Sequence, residues 1–148
     1  MSLDLQKITN FLTISESLAS AGQPDENQLG SLRDSGYHVV INLALKDSPQ
    51  ALPDEEKTVT DLGLTYIHIP VIWEAPTRKN LQQFFETMQQ FQDKKIFVHC
   101  VLNMRVSAFI FLYRVNILKE TEEIARQDML KIWQPDEIWQ KFINDNLS

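Results

Sequence analysis

Cys100 is the single cysteine of the chain, and its neighbours are the ones that chemistry at a thiolate needs. His99 precedes it, Arg105 follows five positions later and Ser107 seven positions later. The segment His99-Cys100-Val101-Leu102-Asn103-Met104-Arg105-Val106-Ser107 leaves the apolar run Ile96-Phe97-Val98 and enters a second apolar run from Val106 to Leu118. A short buried strand, a tight loop and a helix start, in that order, make an anion cradle. The first N–H groups of a helix have no intrahelical acceptor, and the helix dipole is positive there. The same field, with a guanidinium close by, favours the thiolate over the thiol. Arg105 adds a planar fork of donors matched to an oxyanion. A lone cysteine is otherwise a small buried apolar residue; His, Arg and Ser around it at a strand-to-helix junction set this one apart. His99 either tunes Cys100 or simply closes its strand with a satisfied hydrogen bond, and the two roles are compatible.

The elements that must position this loop follow from apolar periodicity, which switches repeatedly between strand-like and helix-like and predicts an α/β fold. A first strand is expected over Asn10 to Ile14. Gly22-Gln23-Pro24-Asp25 then supplies a turn and helix start, and Leu29 and Leu32 mark the buried side of a helix stopped by Gly36. His38 to Leu43 is predicted as a buried central strand and Leu64 to Ile69 as another, closed by Pro70. Between them Pro53, Asp54, Glu55 and Glu56 make a favourable first helical turn, with proline needing no donor and carboxylates facing the positive dipole end. Leu81, Phe84, Phe85, Met88 and Phe91 fall at helical spacing, with Thr77 as N-cap. Two further helices are expected over about Thr121 to Trp133 and Pro135 to Leu147, where Trp133 and Trp139 read as packing residues.

The whole chain narrows the partners. Its 148 residues are expected to form one domain, residues 1–148. A net charge of −6 and a pI near 5.0 argue against a nucleic-acid surface, which needs clustered Lys and Arg. One cysteine allows no intrachain disulfide and no multi-cysteine zinc site, which favours a reducing, cytoplasmic setting. No membrane association is expected, because no segment reaches about 18 consecutive apolar residues. Nor is a metal or other cofactor expected, since His38, His68 and His99 have no ligand spacing.

On the His99-Cys100…Arg105…Ser107 pattern the chain resembles the cysteine-dependent protein tyrosine and dual-specificity phosphatases. Their signature is His-Cys, five residues, Arg, then Ser or Thr. Further likeness lies in Ile14-Ser15-Glu16-Ser17-Leu18 through Gly22-Gln23-Pro24, in Val40-Ile41-Asn42-Leu43, and in Tyr66-Ile67-His68-Ile69-Pro70-Val71 with Pro76-Thr77. These stretches look like a small bacterial phosphatase-like family related to a domain fused to some metallo-β-lactamase-like hydrolases, and the likeness runs from about Ile14 to Leu118. It implies a mainly parallel sheet of four to five strands flanked by helices, and hydrolysis of phosphotyrosine-like phosphomonoesters through a phosphocysteine. Cys100 would be the nucleophile. Arg105 and the amides of Val101, Leu102, Asn103, Met104 and Val106 would hold phosphate or a sulfate-like anion, Ser107 would stabilise the leaving thiolate, and His99 would orient the loop. The general acid is expected on Val71-Ile72-Trp73-Glu74-Ala75-Pro76-Thr77, a segment able to close over the site. Ile72 stands where the family has aspartate, which makes Glu74 the candidate; Asp47 and Asp54 lie on another loop and are expected to do nothing.

The departures from the pattern keep two rivals open. Arg105 comes after four residues instead of five, Val106 holds the family's arginine place and Asn103 replaces a glycine. One residue along a helix turns a side chain by about 100°, so Arg105 is expected to aim elsewhere than its family counterpart. A phosphate- or phosphoprotein-binding module with weak or no turnover fits that shift. A rhodanese-like sulfurtransferase fits the spacing from Cys100 to Arg105, though it requires neither His99 nor Ser107.

Overall fold

Val39-Val40-Ile41 and Ile96-Phe97-Val98 offer a strand no polar side, so each is stable only where both of its faces are covered. The computed structural model of the chain, which describes residues 2–148, places both runs inside one five-stranded sheet. The strands are β1 (Leu12–Ser15), β2 (Leu18–Ala21), β3 (Val39–Asn42), β4 (Thr65–His68) and β5 (Ile96–His99), in the order β1-β2-β5-β3-β4. β2, β5, β3 and β4 run parallel, and β1 alone is antiparallel, folded back on β2 with an irregular register between Thr13 and Ser15.

Alternate residues of the central strands feed two cores. Val39, Ile41 and Val98 point to the side covered by α4 (Arg78–Gln90), α5 (Met104–Asn116), α6 (Glu122–Leu130) and α7 (Glu137–Asn146). Ala19, Ala21, Val40 and Phe97 point to the other, under α1 (Ser2–Leu5), α2 (Glu26–Asp34) and α3 (Glu55–Asp61). Every residue of α5 from Arg105 to Arg114 is buried, which makes it the central helix of its layer. Among the described residues no helix is long and apolar enough to cross a membrane.

The predicted elements are present with local shifts. Thr77 caps α4 by accepting from the Asn80 N–H, and Asp25 and Gln28 form a reciprocal capping box on α2. α3 starts two residues beyond Pro53 because Asp54, accepting from the Lys57 N–H, takes the cap position. The first strand begins at Leu12 instead of Asn10, whose φ of 50° turns the chain. β2 and α1 were not predicted. Leu18-Ala19-Ser20-Ala21 is short and mostly small, and it becomes a strand because β5 supplies its parallel partner.

Candidate active site

The register of the parallel strands brings Ala21, His99, Asn42 and His68 level at their carboxyl ends. In an open α/β sheet this edge is where ligands bind, and Cys100 is the next residue along β5. The loop from Cys100 to Asn103 is fixed from below. Gln23 N–H donates to the Val101 carbonyl at 3.0 Å. A Cβ on Gly22 would stand 2.3 Å from that same oxygen, so only glycine lets the loop sit this close.

Two asparagines in left-handed backbone conformation clamp the loop's far end. Asn10 (φ 50°) donates through Nδ2 to the Leu102 carbonyl at 2.9 Å, and Asn103 (φ 70°) donates through Nδ2 to the Asn10 carbonyl at 2.8 Å and to Ser20 Oγ at 3.0 Å. Asparagine tolerates this region better than other non-glycine residues. With the Asn103 side chain turned away, α5 has no side-chain cap, and its first N–H groups face outward.

The left-handed step at Asn103 also settles where Arg105 goes. The expected misdirection assumed a fixed helix start, but the helix begins at Met104, two residues earlier than the apolar run suggested. Arg105 therefore shares one cavity of about 170 Å³ with Cys100, Trp73, Val101, Leu102 and Met104. The Val106 side chain is wholly buried in the core, so only its backbone N–H is left to face the loop.

Arg105 is 7% exposed, donates from Nη1 to the Val71 carbonyl at 2.8 Å and lies 6.0 Å from the centre of the Trp73 ring. No carboxylate among the described residues pairs with it. Trp73 packs on Trp133 and Trp139 at 5.3 and 5.7 Å, and its carbonyl accepts from Trp139 Nε1 at 2.9 Å. The stem of the 71–77 loop is thus tied to α5 and α7. Glu74 is exposed and stands outside the cavity lining, one residue beyond Trp73.

The Ser107 hydroxyl is engaged on its own helix and on Trp133. Its hydroxyl proton goes to the Met104 carbonyl at 2.7 Å and its oxygen accepts from Trp133 Nε1 at 2.9 Å, which leaves no donor for the Cys100 sulfur. These bonds brace the first turn of α5.

Behind the loop, His99 is fully buried, with Nδ1 3.0 Å from the Cys100 carbonyl and Nε2 2.5 Å from Glu55 Oε2. Glu55 also accepts from Gln23 Nε2 at 2.8 Å. Burial on its own would raise the Glu55 carboxyl, but the hydrogen bond and charge of His99, the Gln23 amide and the field of His68 prevail and hold it below the ordinary glutamate range. Glu55 was read only as a first-turn acid. The helical spacing to Val59, which is buried on the same face, is the signal that marks it as inward-pointing. Asp54 is a helix cap, and with Glu55 it lines a second, polar cavity of about 290 Å³ with Asn42, Lys46, Tyr66 and His68.

This architecture recurs in known proteins. A DUF442 candidate phosphatase from Shewanella putrefaciens CN-32 is 34% identical, covers 98% of this chain and 95% of its own, and superposes with a TM-score of 0.89. Two more distant structures share the fold. PTPMT1, solved with PI(5)P, is 15% identical, with a TM-score of 0.78 over 91% of this chain and 92% of its own. The core catalytic domain of the Saccharomyces cerevisiae PP-IP phosphatase SIW14 is 14% identical, with a TM-score of 0.76 over 93% of this chain and 85% of its own. No curated protein matches. The family model described as "DSP-PTPase phosphatase fused to NAD+ Kinase" matches residues 10–143, so the cysteine loop and nearly all of the fold around it fall within the match, and the chain belongs to that phosphatase family.

Proposed function

We propose that the protein hydrolyses phosphomonoesters with Cys100 as nucleophile. The observation that carries this reading is Arg105: a buried guanidinium without a carboxylate partner, in one cavity with Cys100 at the uncapped start of α5. The Cys100 thiolate attacks phosphorus, the P–O bond to the leaving group breaks, and water then cleaves the phosphocysteine to return phosphate and the thiolate. Arg105 and the N–H groups of Met104, Arg105 and Val106 hold the equatorial oxygens. Ser107, through Met104 and Trp133, keeps those amides in place. Glu74, beside the cavity wall at Trp73, is the group we assign to protonate the leaving oxygen.

The substrate side of the cavity is apolar, lined by Trp73, Val101, Leu102 and Met104, with Ile72 exposed nearby. It suits an aryl phosphate such as phosphotyrosine better than a polyanion, which calls for several cations. TpbA of Pseudomonas aeruginosa has been solved with pTyr, in the same fold. A single buried thiol fits a reducing, cytoplasmic setting.

The test is turnover of p-nitrophenyl phosphate between pH 5 and 7 by the wild type and by Cys100→Ser, with thiosulfate and cyanide offered in parallel. Release by the wild type and none by the serine variant is the expected result. Activity that survives in Cys100→Ser, sulfur transfer without phosphate release, or vanadate binding without any turnover would each overturn it.

A further inference from the structure

A helix start is ordinarily closed by the side chain of the residue before it, and this chain does so three times with one geometry. Asp25, Thr77 and Asp136 have extended backbone, and each turns an oxygen back onto the N–H three residues on, that of Gln28, Asn80 and Trp139. Asn103 is as good a capping residue by type as any of them. It has φ 70° and ψ 0° instead, and its side chain makes no bond to α5. The first bond of that helix runs from the Ser107 N–H to the Asn103 carbonyl at 2.8 Å, so the amides of Met104, Arg105 and Val106 have no intrahelical acceptor.

The Asn103 amide group is turned to another task. The atom facing the Asn10 carbonyl at 2.8 Å must be the nitrogen, because a carbonyl only accepts, and the same nitrogen donates to Ser20 Oγ at 3.0 Å. Oδ1 is thereby left buried, and no donor among the described residues reaches it. A buried acceptor without a donor is destabilising, and so is left-handed backbone outside glycine. Turning Asn103 into the ordinary cap would relieve both. The fold prevents that from outside the loop. The Asn10 carbonyl accepts from Asn103 while Asn10 Nδ2 donates to the Leu102 carbonyl at 2.9 Å. Gly22, bridged to Leu102, donates its N–H to the Thr9 carbonyl at 2.7 Å, and the segment carrying Asn10 is anchored by the buried Leu5 and Ile8.

We infer that Asn103 is a positioning residue for the anion, held in place by Asn10: its locked left-handed step keeps the side chain off α5 and so leaves the Arg105 and Val106 N–H groups open to an oxyanion beside Cys100. The inference rests on the phosphate-loop reading given above. It deepens that reading by naming what keeps those donors free of the protein's own acceptors.

Two neutral replacements separate this role from a merely structural one. Serine prefers the ordinary capping conformation and can accept from the Val106 N–H, whereas glycine keeps the left-handed step and has no side chain with which to cap. Binding of inorganic vanadate to the full chain is followed by calorimetry, and the urea midpoint is measured for each variant. Asn103→Ser is expected to bind vanadate about tenfold more weakly than wild type, the size of one charge-assisted hydrogen bond, yet to be no less stable than Asn103→Gly. Asn103→Gly should bind about threefold more weakly, reflecting the freedom of an unheld glycine, and Asn10→Gly, which releases the Leu102 carbonyl, should do the same. Serine and glycine variants of equal affinity, or affinities that simply follow the urea midpoints, would overturn the inference. If Asn103→Ser does not fold, amide exchange in the wild type decides: fast exchange at Arg105 and Val106 that vanadate slows upholds it, and protection of these amides in the free protein overturns it. None of these readouts uses turnover. Vanadate bound with this ranking but no p-nitrophenyl phosphate hydrolysed leaves the inference standing and sinks the proposed hydrolysis, and turnover without the ranking does the reverse. A wild type that binds no vanadate overturns both.

Discussion

Helix α5 buries two arginines, and they are treated in opposite ways. Arg114, 6% exposed, is neutralised twice, donating from Nε to Glu120 at 2.7 Å and from Nη1 to Asp128 at 2.6 Å. Arg105, 7% exposed, has only a peptide carbonyl and the face of an indole. Leaving a buried charge without a counter-ion costs several kcal/mol. The fold avoids that cost at one end of the helix and accepts it at the other. The difference separates a cation that holds the structure together from one left free for the anion site proposed above, and it supports that proposal on grounds other than motif spacing.

The comparison breaks most visibly at Arg105. Arg105→Met should lower kcat/KM for an aryl phosphate by about 10²–10³-fold, the size of effect seen when one preorganised oxyanion donor is removed. The urea midpoint should stay level or rise, since an unneutralised buried charge is replaced by an apolar chain. A large loss of stability with activity spared would show that the two arginines have been assigned the wrong way round.

Arg114→Met should do the reverse. Removing one member of a buried pair costs about 3–5 kcal/mol, and the low end applies here because Glu120 is 36% exposed and can rehydrate. Activity per folded molecule should be unchanged. The acid limb adds a sign. Burial raises the Asp128 carboxyl, but Arg114 and Lys131 outweigh burial and hold it below the ordinary aspartate range. A group depressed in the folded state contributes stability that is complete above its unfolded value, about 3.9, and is lost as pH falls through the folded one. The gap between wild type and Arg114→Met should therefore narrow below pH 4 in urea titrations.

These two arginines also mark what could be read in advance. β3, β5 and α4 were legible because unbroken apolar runs and a threonine cap are local signals. Cys100 and Arg105 were legible as a pair by residue type. Their meeting in one cavity was not, since it depends on a left-handed Asn103 held by Asn10, 93 residues away in sequence. Glu55 was hidden for the same reason: its partner His99 is 44 residues distant. The hydrogen bonds of Ser107 were hidden too, because its acceptor and donor lie on Met104 and Trp133 and no spacing rule reports the direction of a hydroxyl. What stayed hidden is the part fixed by tertiary contacts alone.

The smallest expected effect sharpens the comparison by asking how firmly the open end of α5 must be held. Trp133→Phe keeps the aromatic stack on Trp73 and removes only the Nε1–H that donates to Ser107. One acceptor loses its donor while the hydroxyl keeps its own bond to the Met104 carbonyl, so the cost should be about 1 kcal/mol by urea denaturation. Turnover should fall more than that energy suggests, because a shift of about 1 Å in positioned groups can cost about a hundredfold. The Cys100 alkylation rate should stay near wild type, since neither His99 nor Arg105 loses a partner. A drop in kcat with the thiolate intact would place Ser107 and Trp133 together as the brace for the oxyanion amides. Equal losses in alkylation and turnover would return Ser107 to the sulfur, where the family resemblance had put it.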